Sequence, residues 1–444
     1  MRTAKLSSNS KLTQHRASEV VGPSKPRLGK VLGPGLIAGA SDDDPSGIAT
    51  YAQAGAQFGF ELSWTLVLTY PLMVVVQAIS ARIGRTTGRG IAGNLRRHYP
   101  KWLLQILVAL LFIANTLNIG ADLGAMAEAT RLLVPLPPDW LCIVGYSTIC
   151  TAGQVFFKHT RYAAILKWLT LTLFAYFAVL FFVKVPWIKF LHGLMIPRLR
   201  LDRDFWLVVI AILGTTISPY LFFWQAAQEV EDTKEHPQRE PLRDEPTQAR
   251  SALARIQLDT VVGMGLSNLV ALAILVAAAA TLSAAGIHEV TSAAQAALAL
   301  KPMAGSFAFA IFAIGIVGTG LLAVPVLAGS AAYAIGEARG WPVGLTRPPL
   351  QAKAFYSAIT VATILGALGN LFSVSPLKAL VWAAVINGIV AVPVMALLML
   401  MSGNPRVMGR FCISKPWKIL GWTATAVMGA ATVAFIVATV GSSS

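Results

Sequence analysis

Charge is scarce in this chain. Of its 444 residues 13% are Asp, Glu, Lys or Arg, and only 20 are acidic. A soluble globular chain carries roughly 25% charged residues. With 55% hydrophobic residues and a mean hydropathy of +0.64, a soluble domain is excluded and a polytopic membrane protein in a lipid bilayer is expected. Cysteine is nearly absent: Cys142, Cys150 and Cys412 are scattered without metal-ligand spacing, so neither a disulfide framework nor a zinc site is implied. The six histidines, at 15, 98, 159, 192, 236 and 288, all avoid the interiors of the apolar runs. No G-x-x-x-x-G-K-[ST] motif occurs and no soluble domain is large enough for an ATPase. No nucleotide, no cofactor and no enzymatic activity are therefore expected.

What is present is basic. The net charge of +16 would suit nucleic acid only if the basic residues gathered on a folded soluble face. They lie instead between apolar runs, so no nucleic acid partner is expected. Residues 1–30 are basic and Ser-rich but lack an apolar core with a small-residue cleavage site, and read as a disordered cytoplasmic tail.

A helix needs about 20 apolar residues to cross the hydrocarbon core. Eleven runs qualify, near 31–56, 61–83, 102–134, 139–157, 162–183, 205–230, 254–284, 305–335, 354–372, 376–401 and 417–440. With the N-terminus inside, 28 of the 36 Lys and Arg residues fall in the tail and the cytoplasmic connections and 7 in the outer ones. This bias obeys the positive-inside rule, and a miscount of one span would scramble it. The C-terminus is then outside the cell inner (plasma) membrane. The connection 231–255 reads as a charged, solvated cytoplasmic loop. Residues 286–303 have apolar positions at helical spacing, which predicts a short interfacial helix.

The first run contains "ASDDDPSG", three carboxylates with a proline and a glycine at bilayer depth. Each intramembrane carboxylate costs roughly 2.5–3.5 kcal/mol even on the lenient insertion scale. Pro45 removes a helix donor, so the segment should unwind. Unwound backbone at that depth is tolerated only where it is buried in protein or lines a cavity. The sixth run repeats the device, with Thr215 and Ser218 preceding Pro219. Interruptions at corresponding places in two halves point to an inverted-repeat transporter with its site between the breaks. The halves would be 31–183 and 205–401, with 417–440 as an additional eleventh helix.

The stretch "GPGLIAGASDDDPSGIATYAQAGAQFGF", its continuation "QAISARIGRTTGRGIA", "GADLGAMAEA" in the third run and "RIQLDTVVGMGLSNLVALAIL" in the seventh resemble the Nramp divalent-metal transporters. The resemblance implies an all-α, leucine-transporter-like fold with 5+5 inverted repeats and broken helices 1 and 6. Asp44 and Pro45 match the Asp-Pro of the family's Asp-Pro-Gly-Asn motif, which implies that Asp44 is a metal-binding carboxylate. The motif's Asn is here Gly47. The Met-Pro-His-Asn motif of the family's sixth helix becomes Ser218, Pro219, Tyr220 and Leu221. The thioether is gone and only oxygen ligands remain, a set that disfavours soft transition metals.

Asp42 and Asp43 complete the candidate metal site with Asp44, Thr215, Ser218 and Gly47. Three consecutive residues cannot share one helix face, so one of Asp42 and Asp43 lines the pathway while the other serves freed backbone. Asp122 matches the family's third-helix Asp, and with Glu128 it is left to carry protons. Tyr220 is expected either to pack and gate or to coordinate. Gln225 lies on the inner half of the sixth helix, as do Gln228 and Glu229. Asn387 in the tenth run either hydrogen-bonds a neighbouring helix or reaches the site. Arg131, Asp259 and Asn268 read as structural.

The loss of Met resembles the divergent Nramp-related branch associated with magnesium. Magnesium keeps several waters and takes one or two carboxylates, which suits this roomy oxygen site. The expectation is a monomeric importer of a hard divalent cation, Mg2+ foremost, working by alternating access with weak or absent proton coupling. Its alternative is a proton-coupled Mn2+/Fe2+ transporter of ordinary Nramp type. Less favoured are an organic-solute transporter of the same fold and a non-transporting metal sensor.

Overall fold

The computed structural model describes residues 39, 42–134, 138–156, 171–236, 238–372 and 375–441. The expected tail 1–30 lies outside the described residues, as does most of the fifth run before residue 171. Among the described residues helix is the only regular element. Hydrocarbon offers backbone groups no partners, so each segment must satisfy its own.

Every expected run meets helix where it is described. The helices are α1 (Pro45–Phe58), α2 (Ser63–Thr87), α3 (Ile91–His98), α4 (Lys101–Arg131), α5 (Asp139–Phe156), α6 (Ala175–Phe182), α7 (Trp187–Met195), α8 (Arg203–Thr216), α9 (Pro219–Glu235), α10 (Ala249–Thr281), α11 (Ala308–Arg339), α12 (Lys353–Gly369), α13 (Pro376–Ser402) and α14 (Lys415–Gly441). Seven helical stretches among the described residues are long and apolar enough to cross a membrane unaided.

Both expected interruptions occur, and both prolines start a helix rather than kink one. Asp42 is helical, Asp43 bends the chain, and Asp44 caps α1 with Pro45 in its first turn. In the sixth run Ile217 and Ser218 alone separate α8 from α9, whose first residue is Pro219. Proline suits that place because its missing N–H is one the first turn leaves unpaired anyway.

The packing carries the inverted repeat. Helix α4, from the third run, packs against α11, from the eighth. The first run meets the seventh through α1 and α10, and the sixth meets the second through α9 and α2. Glycine permits the close approach in both pairs. A Cβ on Gly55 would run into the Leu275 carbonyl, and one on Gly84 into the Ala226 carbonyl.

The connections are more ordered than expected. Helix occupies both ends of the 231–255 segment, which α9 enters as far as Glu235 and α10 leaves from Ala249. Between them Leu242 N donates to the Arg85 carbonyl at 3.2 Å, and the Leu242 side chain is buried. The interfacial helix expected in 286–303 is divided into short helical pieces, among them Ala293–Ala297 and Lys301–Ala304.

Candidate functional site

The three aspartates are almost completely buried, but they point to different partners. Asp44 closes the first turn of α1: its Oδ1 accepts the Gly47 N–H at 2.8 Å and the Ser46 hydroxyl at 2.6 Å. Its Oδ2 accepts the Asn118 amide of α4 at 3.0 Å and the Tyr220 hydroxyl of α9 at 3.4 Å. One carboxylate thus joins the first, third and sixth runs. Asp42 and Asp43 turn to α10, where the single Ser267 hydroxyl lies 2.6 Å from Asp42 Oδ2 and 3.1 Å from Asp43 Oδ1.

The two helix breaks abut. A Cβ on Gly47 would sit 3.1 Å from Thr215 Oγ1, 3.3 Å from the Tyr51 ring and 3.4 Å from the Asp42 carbonyl oxygen. The missing side chain at 47 therefore gives room for Thr215 to approach. Ser218 uses its hydroxyl on its own break, donating towards the carbonyls of Gly214 at 2.7 Å and Thr215 at 2.9 Å. It stands buried at the seam with its proton committed, and it brings no sulfur to the place. No group of three or more His, Cys, Asp or Glu side chains among the described residues converges as a ready metal cluster. The arrangement is a carboxylate at a helix break surrounded by hydroxyl and amide groups.

The family model for natural resistance-associated macrophage protein-like proteins, Nramp, matches residues 35–438. This chain belongs to the Nramp family.

Its relatives span nearly the whole length. The divalent metal cation transporter MntH of Deinococcus radiodurans is 25% identical over 415 residues, which cover 90% of this chain and 88% of the relative. That of Ralstonia nicotianae is 27% identical over 428 residues, covering 94% and 93%. These relatives are transporters, not enzymes. A crystal structure of the Eremococcus coleocola manganese transporter, in complex with an aromatic bis-isothiourea substituted compound, matches with a TM-score of 0.69 at 17% identity, over 95% of this chain and 89% of that one. Mhp1, a nucleobase-cation-symport-1 family transporter in a closed conformation, matches with 0.57 at 17% identity, over 92% and 90%. The fold is leucine-transporter-like, with two inverted five-helix repeats and broken helices 1 and 6.

The remaining candidates of this Nramp chain separate. Asp122 is fully buried one turn beyond Asn118 on α4, and neither carboxylate oxygen has a partner among the described residues. Glu128 lies further along α4, at about 1.5 Å per residue some 9 Å from Asp122, and its Oε1 accepts the Ala293 N–H at 2.8 Å. It takes up the first N–H of the short helix Ala293–Ala297, whose N-cap is Ser292, while its Oε2 has no partner among the described residues. Gln225 and Asn387 are fully buried with every side-chain polar atom unpartnered. Beside Asn387, Gly388 packs directly on Gly214 of α8. Glu229 is held by Arg255 at 2.6 Å, Arg131 pairs with Asp139 at 3.0 Å, and the Asn268 carbonyl oxygen has no partner.

Two residues of other helices that contact the aspartates were not singled out from the sequence. Asn118 and Ser267 are ordinary polar residues of apolar helices, and only tertiary packing brings them to positions 74 and more than 220 residues away in the chain. The available signal was weak: each is a buried amide or hydroxyl in a run where such groups need a partner.

Proposed function

We propose that this Nramp protein carries a hard divalent metal cation across the membrane by alternating access, with the ion held between the breaks of the first and sixth runs. The observation that carries the reading is Asp44: a buried carboxylate at a helix break, within hydrogen-bonding reach of α4 and α9 and in no ion pair among the described residues. An ion there would displace the long Tyr220 contact at Oδ2, while the Asn118 amide keeps the carboxylate oriented. The hydroxyl of Thr215, the backbone at Ser218 and the open space at Gly47 with retained water complete an oxygen-only shell. Carboxylate, carbonyl and water ligands suit Mg2+, Ca2+ and Mn2+ and forgo the sulfur that selects softer ions.

Manganese is the ion the relatives support. The Deinococcus and Ralstonia proteins are named divalent metal cation transporters, and the Eremococcus structure is that of a manganese transporter. They favour this reading over the magnesium preference drawn from the residues alone. Magnesium stays as the second reading on one observation: Ser218 stands where the family has Met, and its hydroxyl proton is committed to its own helix.

Uptake is driven by the inside-negative potential, which supplies about 2.3 kcal/mol per charge per 100 mV and twice that for a divalent ion. Asp122 is the fully buried group left for a proton, Glu128 has one of its oxygens taken by the Ala293 N–H, and coupling is weak or absent. The distribution of Lys and Arg supports an inner-membrane protein with a cytoplasmic N-terminus and an outer C-terminus. Repeats 31–183 and 205–401, a terminal helix at 417–440 and a monomeric state belong to the same reading. Liposomes holding the intact protein should take up Mn2+, with Mg2+ competing, and Asp44→Ala should lower uptake to background while luminal pH is recorded. Unchanged uptake in Asp44→Ala overturns the site.

A further inference from the structure

The Asp44 site leaves two buried carboxylates unexplained. Asp42 and Asp43 share one hydroxyl, Ser267 Oγ, at 2.6 and 3.1 Å, and Asp42 Oδ1 has no partner. A hydroxyl has one proton to donate, so one of the two carboxylates always goes without it. Neither enters any ion pair among the described residues. Two adjacent buried carboxylates with a single donor repel each other unless a positive charge stands between them.

A second observation lies beside them. The Tyr51 side chain is fully buried, its charged neighbours are Asp42, Asp43 and Asp44, and its hydroxyl closes no hydrogen bond of normal geometry. The Thr215 hydroxyl next to it is in the same position. The Thr215 oxygen, the Tyr51 ring and the Asp42 carbonyl oxygen all fall within 3.4 Å of one point at Gly47. Oxygens therefore outnumber the available protons on this side of the break.

The two sides of the break also differ in polarity. Asp44 opens a helix, where the macrodipole is positive and peptide N–H groups point at the carboxylate. Asp42 and Asp43 stand before the break, on the side where a freed carbonyl such as that of Asp42 can face a cation.

We infer that Asp42, Asp43 and Ser267 form a second cation site between the first and seventh runs, separate from Asp44, and that its occupant is a monovalent, sodium-like ion. A proton needs two oxygens, and more than two are offered here. A divalent ion would meet the ion at Asp44 with twice the repulsion of a monovalent one, since the Coulomb energy follows the product of the charges. The role of such an ion in transport rests on the reading above, but its binding does not.

The test is 22Na+ binding to the purified intact protein in detergent, against choline, with thermal unfolding as the folding control. Saturable binding is expected. Ser267→Ala and Asp42→Asn should weaken it at least about tenfold, as loss of a group that holds or orients an ion does, while Ser267→Thr, which keeps the hydroxyl, restores it. Asp44→Asn should abolish Mn2+ uptake and keep Na+ binding. Absence of saturable Na+ binding in protein that transports Mn2+ overturns the inference. So do folded Ser267→Ala protein that binds as wild type, and Mn2+ displacing Na+ one for one from a single site. Na+ binding by protein that moves no divalent ion leaves the second site standing and overturns the transport reading instead.

Discussion

Asn118 of α4 donates its amide to Asp44 Oδ2 at 3.0 Å, so the third run holds the carboxylate from the side opposite its own helix cap. The two oxygens of Asp44 thereby divide their tasks: Oδ1 holds the break open and Oδ2 faces the bundle. Asn118→Ala should raise the KM for Mn2+ by roughly ten- to a hundredfold, the usual loss when a group orienting a metal ligand is removed. The maximal rate should fall less, and initial-rate uptake in proteoliposomes separates the two parameters.

Gly47→Ala tests the seam between the breaks. Alanine gains about 0.5–1 kcal/mol over glycine in a helix, whereas overpacking a tight core costs about 1–3 kcal/mol. With Thr215 Oγ1 only 3.1 Å from the new methyl, overpacking should win and thermal stability in detergent should fall. Combining it with Thr215→Ala removes the nearest of the three contacts and should recover part of the lost stability. An additive double mutant would show that the two runs do not meet there.

Ser218→Met restores sulfur at the sixth-run break. Cadmium should then compete with Mn2+ at least about tenfold more strongly than in the wild type, because a thioether is a soft ligand. Losing the one hydroxyl proton shared between the Gly214 and Thr215 carbonyls should lower stability by about 1 kcal/mol in all. Competition assays scored against a Ser218→Ala control isolate the sulfur.

How much of this site could be read in the sequence depends on its range. The runs were legible because spanning a bilayer demands apolar length, and the breaks because Pro45 and Pro219 interrupt that length beside polar residues. The direction of the side chains was not. That three adjacent aspartates cannot share one face was legible, but not where each goes: the turn at Asp43 sends Asp42 and Asp43 together to Ser267 and Asp44 to Asn118. Glu128 read as a pathway group because it is acidic and lies in an apolar run. Its partner is the Ala293 N–H, a backbone group 165 residues away that no side chain marks in the sequence.

At one end of the bundle Arg255 of α10 holds Glu229 of α9 at 2.6 Å, with Glu229 fully buried. Arg255→Ala leaves an uncompensated buried carboxylate and should cost about 3–5 kcal/mol. Adding Glu229→Gln should recover most of that loss. Thermal unfolding of the two variants in detergent measures it, and a double variant as unstable as the single one would place the role of Arg255 elsewhere.

The glycine contacts that let α1 lie on α10 and α9 on α2 bear on how such a bundle can move. Backbones touching without intervening side chains have no flexible layer between them to shear, so each pair should travel as one piece. The displacement then falls at side-chain-lined seams, such as those of α4 and α11. An ion seated between the breaks would feel two jaws, each made of one helix from either repeat, so opening towards one side closes the other by the same rotation.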